Sequence, residues 1–145
     1  IANTRKITIK NNGHLIITGN SILHACGDMW QGIIIEDGGI LTIDDGSEIE
    51  DAEIAVDAHS GSQFIIDDAV FQRNFIGIHA SDGDFSSSSI LHTTFGCLDG
   101  SVQGYSLKAP RTSQRSRYHI HLEDVSNFEI GDVSLDPNVF AGADG

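Results

Sequence analysis

Four residues at near-equal spacing carry the first chemical possibility in this chain. Asp57, His79, Asp99 and His121 stand 22, 20 and 22 residues apart. Carboxylate alternating with imidazole, once stacked side by side, could bind a transition metal through neutral imidazole or set up an acid–base pair. A neighbouring carboxylate also favours charged imidazole. The same column could therefore be a solvated ladder whose alternating charge avoids repulsion between neighbours.

Two further groups invite chemistry. Asp44–Asp45 and Asp67–Asp68 recur 23 residues apart. Four carboxylates at one corner would suit Ca²⁺ or the paired acids of glycoside hydrolysis. Against this, turns favour Asp because its side chain bonds nearby backbone. A lyase would also need a basic residue beside the carboxylates, and only Arg73 comes near in register. Lys108, Arg111, Arg115 and Arg117 supply four of the eight basic residues within ten positions. They could grip an acidic polysaccharide or an acidic patch of a surface partner protein, or pair with the chain's own carboxylates. No phosphate loop, Ser-His-Asp order, zinc spacing or nucleotide fingerprint is present.

These side chains need elements to position them, and a repeat supplies the elements. A first column runs Ile7, Ile33, Val56, Ile78, Leu98 and Ile120, with steps of 26, 23, 22, 20 and 22 residues. A second runs Leu15, Leu41, Phe64, Phe85, Tyr105 and Phe128, followed two residues later by Ile17, Ile43, Ile66, Ser87, Leu107 and Ile130. A third segment recurs as SILHACG, SEIEDAE, AVFQRNF and SILHTTF, with Leu23, Ile49, Phe71 and Leu91 expected inward. Side chains alternate across a strand, so apolar i, i+2 pairs face one interior and the residue between faces water. Three short strands per line, with Gly or Asn turns between them, predict an all-β, right-handed parallel β-helix. Its expected extent is about six coils of 20–26 residues over a single domain, 1–145. A β-sandwich would also use short strands, but it does not explain three columns recurring in the same order.

The coil at 101–118 is expected to be irregular, with Ala109 to Arg117 as a protruding basic loop. Stacking at roughly 4.8 Å per coil puts Cys26 and Cys97 about three coils apart, beyond the ~7 Å that a disulfide spans. Two free thiols are expected. The formal net charge of −13 argues against nucleic acid and anionic membrane as partners. No apolar run is long enough for a transmembrane helix. Opening on Ile1 suggests a processed or excised piece, and open parallel edges call for further coils or a cap.

The segment Cys-Gly-Asp-Met-Trp-Gln-Gly-Ile (26–33), with Gly-Gly-Ile-Leu-Thr-Ile (38–43) and Ile-Glu-Asp-Ala-Glu (49–53), resembles a known group. It is similar to secreted right-handed β-helix proteins of Bacteroidetes-type bacteria in the pectate-lyase-like superfamily, often parts of type IX-secreted surface proteins. The resemblance covers about residues 7–100. It implies the β-helix fold and an extracellular or cell-surface setting. It does not choose among lyases, hydrolases, adhesins and stalks. Superfamily hydrolases usually carry Gly-His-Gly and Arg-Ile-Lys motifs, and neither occurs here. Trp30 within the motif is either a sugar-stacking platform or a corner packing residue. The expected function is a non-catalytic adhesin, stalk or glycan-contacting scaffold. The alternative is a polysaccharide lyase or glycoside hydrolase.

Overall fold

Short runs of Ile, Val, Leu and Phe, interrupted by residues that turn easily, make strands of two to nine residues. The computed structural model describes residues 1–96, 107–131 and 137–141. The first coil contains β1 (Lys6–Ile9), β2 (His14–Ile17) and β3 (Ile22–Leu23). The second contains β4 (Gly32–Ile35), β5 (Ile40–Ile43) and β6 (Glu48–Glu50), and the third β7 (Ile54–Ala58), β8 (Gln63–Asp67) and β9 (Val70–Gln72). Then come β10 (Ile76–Asp84), β11 (Ser89–Leu91) and β12 (Thr94–Gly96), and finally β13 (Tyr118–Ser126), β14 (Glu129–Ile130) and β15 (Val139–Phe140). Among the described residues there is no helix.

The strands stack into three parallel sheets, ordered β1-β4-β7-β10-β13, β2-β5-β8-β11-β14 and β3-β6-β9-β12-β15. This is a right-handed parallel β-helix. Its first column is the expected one: Ile7 pairs with Ile33, Ile33 with Val56, Val56 with Ile78 and Ile78 with Ile120. In the middle coils Ile33, Val56, Ile78, Leu41, Phe64, Ile43, Ile66, Ile49 and Phe71 are buried in one continuous core. Fully burying each such side chain is worth about 1.5–3 kcal/mol. The outer coils are less covered: Ile7, Leu15, Leu23 and Ile120 are partly buried, while Ile130, Val139 and Phe140 are exposed.

Several expectations are corrected. Each sheet is five strands deep, giving about four turns instead of six. Strand β13 bonds directly to β10, so no rung lies between Ile78 and Ile120. Leu107, expected in the second column, instead forms a small separate cluster with Met29 and Phe75. Leu98, Tyr105 and Cys97 lie outside the described residues. The segment SILHTTF is also divided between two sheets. Ile90 lines up with Ile66 in the second sheet, and Phe95 with Phe71 in the third, so Leu91 is not the inward residue. Strand β10 continues to Asp84, which delays the second strand past Ser87. Phe85 turns into the corner instead, its ring 5.9 Å from that of Phe64.

Corner chemistry is set by backbone conformation. Between the second and third sheets, Asn20, Asp45, Asp68 and His92 have φ of 58°, 56°, 48° and 46°. Asn and Asp are among the residues that enter this left-handed region most readily, so the Asp pairs have a structural reason to recur. Gly32 at the head of β4 has φ of 99°, and a Cβ there would lie 1.6 Å from the Ile54 carbonyl oxygen. No other residue fits.

The basic loop is tied down at Lys108, Arg111 and Ser116, while residues 112–115 stay exposed. Residues 107–117 lie along the corner that joins the third sheet to the first and tie three coils together. Lys108 Nζ donates to the Ala25 carbonyl at 2.8 Å and pairs with Asp51 at 2.8 Å. Arg111 Nε pairs with Glu53 at 2.9 Å, and its guanidinium lies 3.8 Å over the Phe75 ring. The Ala109 carbonyl accepts from Met29 N at 2.7 Å, and Ser116 Oγ donates to the Asn74 carbonyl at 2.5 Å. Apolar clustering at Leu107 and ion pairing at Lys108 and Arg111 hold this strap against the coils.

Candidate functional site

The outward column of the first sheet reads Thr8, Ile34, Asp57, His79 and His121 in register. Inward Val56, Ile78 and Ile120 fix each strand, and the pleat then turns the next residue outward. His79 and His121 are direct partners, and their rings stack with centroids 5.3 Å apart. Asp99 lies outside the described residues, and the column is completed without it.

Asp57 and His79 meet as expected. Asp57 Oδ1 accepts from His79 Nδ1 at 2.8 Å, so the proton sits on Nδ1. Asp57 Oδ2 also lies 3.5 Å from His59 Nε2. Glu123, two residues beyond His121 on β13, faces the same side and completes the group. Its Oε2 is 3.7 Å from His79 Nε2, and its Oε1 is 3.5 Å from His121 Nε2. One ligand atom from each of His79, His121 and Glu123 lies within 4.8 Å of the other two. Among the described residues this is the one such trio of potential metal ligands. The Tyr118 ring stacks on His121 at 4.7 Å, and Arg117 sits over Tyr118 at 5.3 Å.

Sequence reasoning found His79, His121 and Asp57 but missed Glu123 and Tyr118. Glu123 had a signal, since i+2 on a strand shares a face with i. Tyr118 had none, because a residue three positions before His121 falls on the other parity of the strand.

The Asp corner behaves differently. Asp67 Oδ1 pairs with His92 Nδ1 at 2.5 Å, whereas Asp45 and Asp68 are exposed turn residues. Asp44 is half-buried, and its Oδ1 has no hydrogen-bond partner among the described residues. The four carboxylates do not gather into a ligand trio. Arg73, the base that a lyase would have drawn on, is held by Asp51 at 3.0 Å and Glu50 at 2.9 Å. Burial acts to lower its pKa, but hydrogen bonding and charge from Asp51, joined by Glu50, outweigh it and raise the value. Arg73 is therefore a fixed cation.

Of the four basic loop residues, Lys108 and Arg111 are taken up by the strap. Arg115 and Arg117 are exposed and line an open cleft of about 390 Å³ with Phe75, Ser113 and Gln114. Trp30 is fully buried and its indole donates to the Glu50 carbonyl at 2.8 Å, so it is a corner packing residue. Cys26 is an exposed free thiol. No helix among the described residues is long and apolar enough to cross a membrane. Comparison of the chain with protein-family models, with curated proteins and with solved structures finds no match.

Proposed function

We propose that this chain is a non-catalytic β-helix module of a secreted or cell-surface protein, contacting an acidic polysaccharide. The observation that carries it is the cleft at Phe75, Ser113, Gln114, Arg115 and Arg117. Guanidinium forks match carboxylate geometry, while the Ser and Gln side chains suit sugar hydroxyls. In a chain of net charge −13, an anionic ligand needs a local concentration of cations, and Arg115 and Arg117 stand together at the cleft. The resemblance of residues 26–53 to secreted β-helix proteins of the pectate-lyase-like superfamily supports the extracellular setting.

The test is affinity electrophoresis against polygalacturonate, alginate and a neutral glucan. Retardation by the acidic polymers alone, weakened by salt and abolished in Arg115→Ala/Arg117→Ala, is the expected result. Equal mobility in all gels would overturn the reading. A second reading, a polysaccharide lyase or glycoside hydrolase, draws on the Asp57–His79 pair, a carboxylate-oriented imidazole on an accessible face. Release of unsaturated or reducing ends from these polymers, lost in His79→Ala, would favour it over simple binding.

A further inference from the structure

We infer that His79, His121 and Glu123 form a binding site for a divalent transition metal of the zinc class, with Asp57 as its positioning residue. The donor set comes first. Two imidazoles and one carboxylate suit Zn²⁺, Co²⁺ or Ni²⁺, whereas Ca²⁺ and Mg²⁺ take oxygen ligands.

Geometry comes second. Tetrahedral Zn²⁺ with bonds of about 2.0–2.2 Å has ligand–ligand edges of about 3.4 Å. Glu123 Oε1 is 3.5 Å from His121 Nε2 and Oε2 is 3.7 Å from His79 Nε2, so one oxygen already spans the edge to one histidine and lies within 4.8 Å of the other. The ligand atoms of the two histidines lie within 4.8 Å, so their approach needs about 1.4 Å at most. Ring rotation can supply that, because both rings are only partly buried, at 20% and 33% exposure. Three protein ligands leave the fourth position open to solvent.

Orientation is the third observation, and it is independent of the trio. Asp57 holds the Nδ1 proton of His79 at 2.8 Å, which leaves the Nε2 lone pair on the side of Glu123. A carboxylate behind a ligating imidazole fixes its tautomer and raises its basicity. The backbone is also prepared. His79 and His121 belong to paired strands pinned by Ile78 and Ile120, so the backbone that carries the two donors is in register before any ion arrives. The same ion would clamp β13 to β10. The cleft reaches this site only through Arg117 and Tyr118, and the metal proposal does not depend on the polysaccharide reading.

The test is calorimetric titration of the tag-free chain with Zn²⁺, Ca²⁺ and Mg²⁺, paired with the visible spectrum of the Co²⁺ form. The expected result is one Zn²⁺ per chain at low-micromolar affinity, no heat with Ca²⁺ or Mg²⁺, and a tetrahedral Co²⁺ spectrum. His79→Ala and His121→Ala should abolish that spectrum. Asp57→Asn should weaken Zn²⁺ binding about 10- to 100-fold while retaining the stoichiometry. Exposed His14 provides the control, since His14→Ala should leave affinity within about twofold of wild type. Unchanged affinity in His79→Ala, or binding only at millimolar Zn²⁺, would overturn the site and leave His79 as a polar link between Asp57 and Glu123. If His79→Ala fails to fold by circular dichroism, Glu123→Gln on the exposed face carries the same comparison. Its wild-type affinity would then overturn the site.

Discussion

The two faces of the first sheet are built from alternate residues of the same strands, yet they follow opposite rules. Inward, Ile33, Val56 and Ile78 are near-equivalent β-branched residues, all fully buried. Outward, Ile34, Asp57, His79 and His121 differ at almost every step. Burial rewards repetition, because each coil must present the same volume to the next. Exposure to water removes that demand, so each outward slot is open to a different chemistry. Alternation is not the whole account on β13, where the His119 ring lies 5.9 and 6.0 Å from those of Phe95 and Phe140. Two residues on, His121 faces His79 and Glu123.

The severest break of this contrast is Phe64→Ala, which empties a buried site touched by the rings of Phe85 and Phe128. It should cost about 3–5 kcal/mol in urea denaturation. A loss below about 1 kcal/mol would mean that the interior does not depend on its columns. A sharper comparison uses two neighbours of one type. Ile33→Ala, at a fully buried position, should cost about 2–5 kcal/mol, whereas half-buried Ile34→Ala should cost about 1 kcal/mol or less. Equal losses would erase the distinction between faces.

The smallest effect is a pH dependence. Desolvation lowers the His119 pKa, against a weaker opposing hydrogen bond from its Nε2 to the Ala141 carbonyl. The folded chain thus releases this proton more readily than the unfolded chain, whose imidazole titrates near 6.5. Stability from this group is complete above that pH and is lost as pH falls towards the lower folded value. Denaturation midpoints measured between about pH 7 and pH 5 should fall on acidification. His119→Phe should flatten that slope, and an unchanged slope would show that His119 is not held neutral.

Much of the fold was legible because inward slots leave a periodic trace. Ile7, Ile33, Val56, Ile78 and Ile120 could be aligned from spacing alone, since only apolar residues survive there. The trace failed where local polarity hid it. The Ser86–Ser89 run offered no apolar marker, so the second strand was set at Phe85 instead of Ile90. An apparent coil containing Leu98 and Leu107 matched the period, but Leu107 packs on Met29 and Phe75 at another place. The site was half legible. His79 and His121 followed from the column, yet their adjacency depends on β13 skipping to β10, a pairing that no local pattern records. The Lys108–Asp51 and Arg111–Glu53 pairs were equally hidden, because opposite charges far apart in sequence carry no register.

The strap also changes how this molecule comes apart. Coils that touch only their neighbours melt like a zipper, each terminal coil fraying on its own. Here Lys108 reaches Ala25 and Asp51, while Arg111 holds Glu53 and covers Phe75. The corner after β3 cannot open without also releasing chain that leads into β13. A one-dimensional stack thereby acquires a coupling between non-adjacent coils. Amide exchange in the first three coils then reports one shared opening, and the zipper becomes a latch.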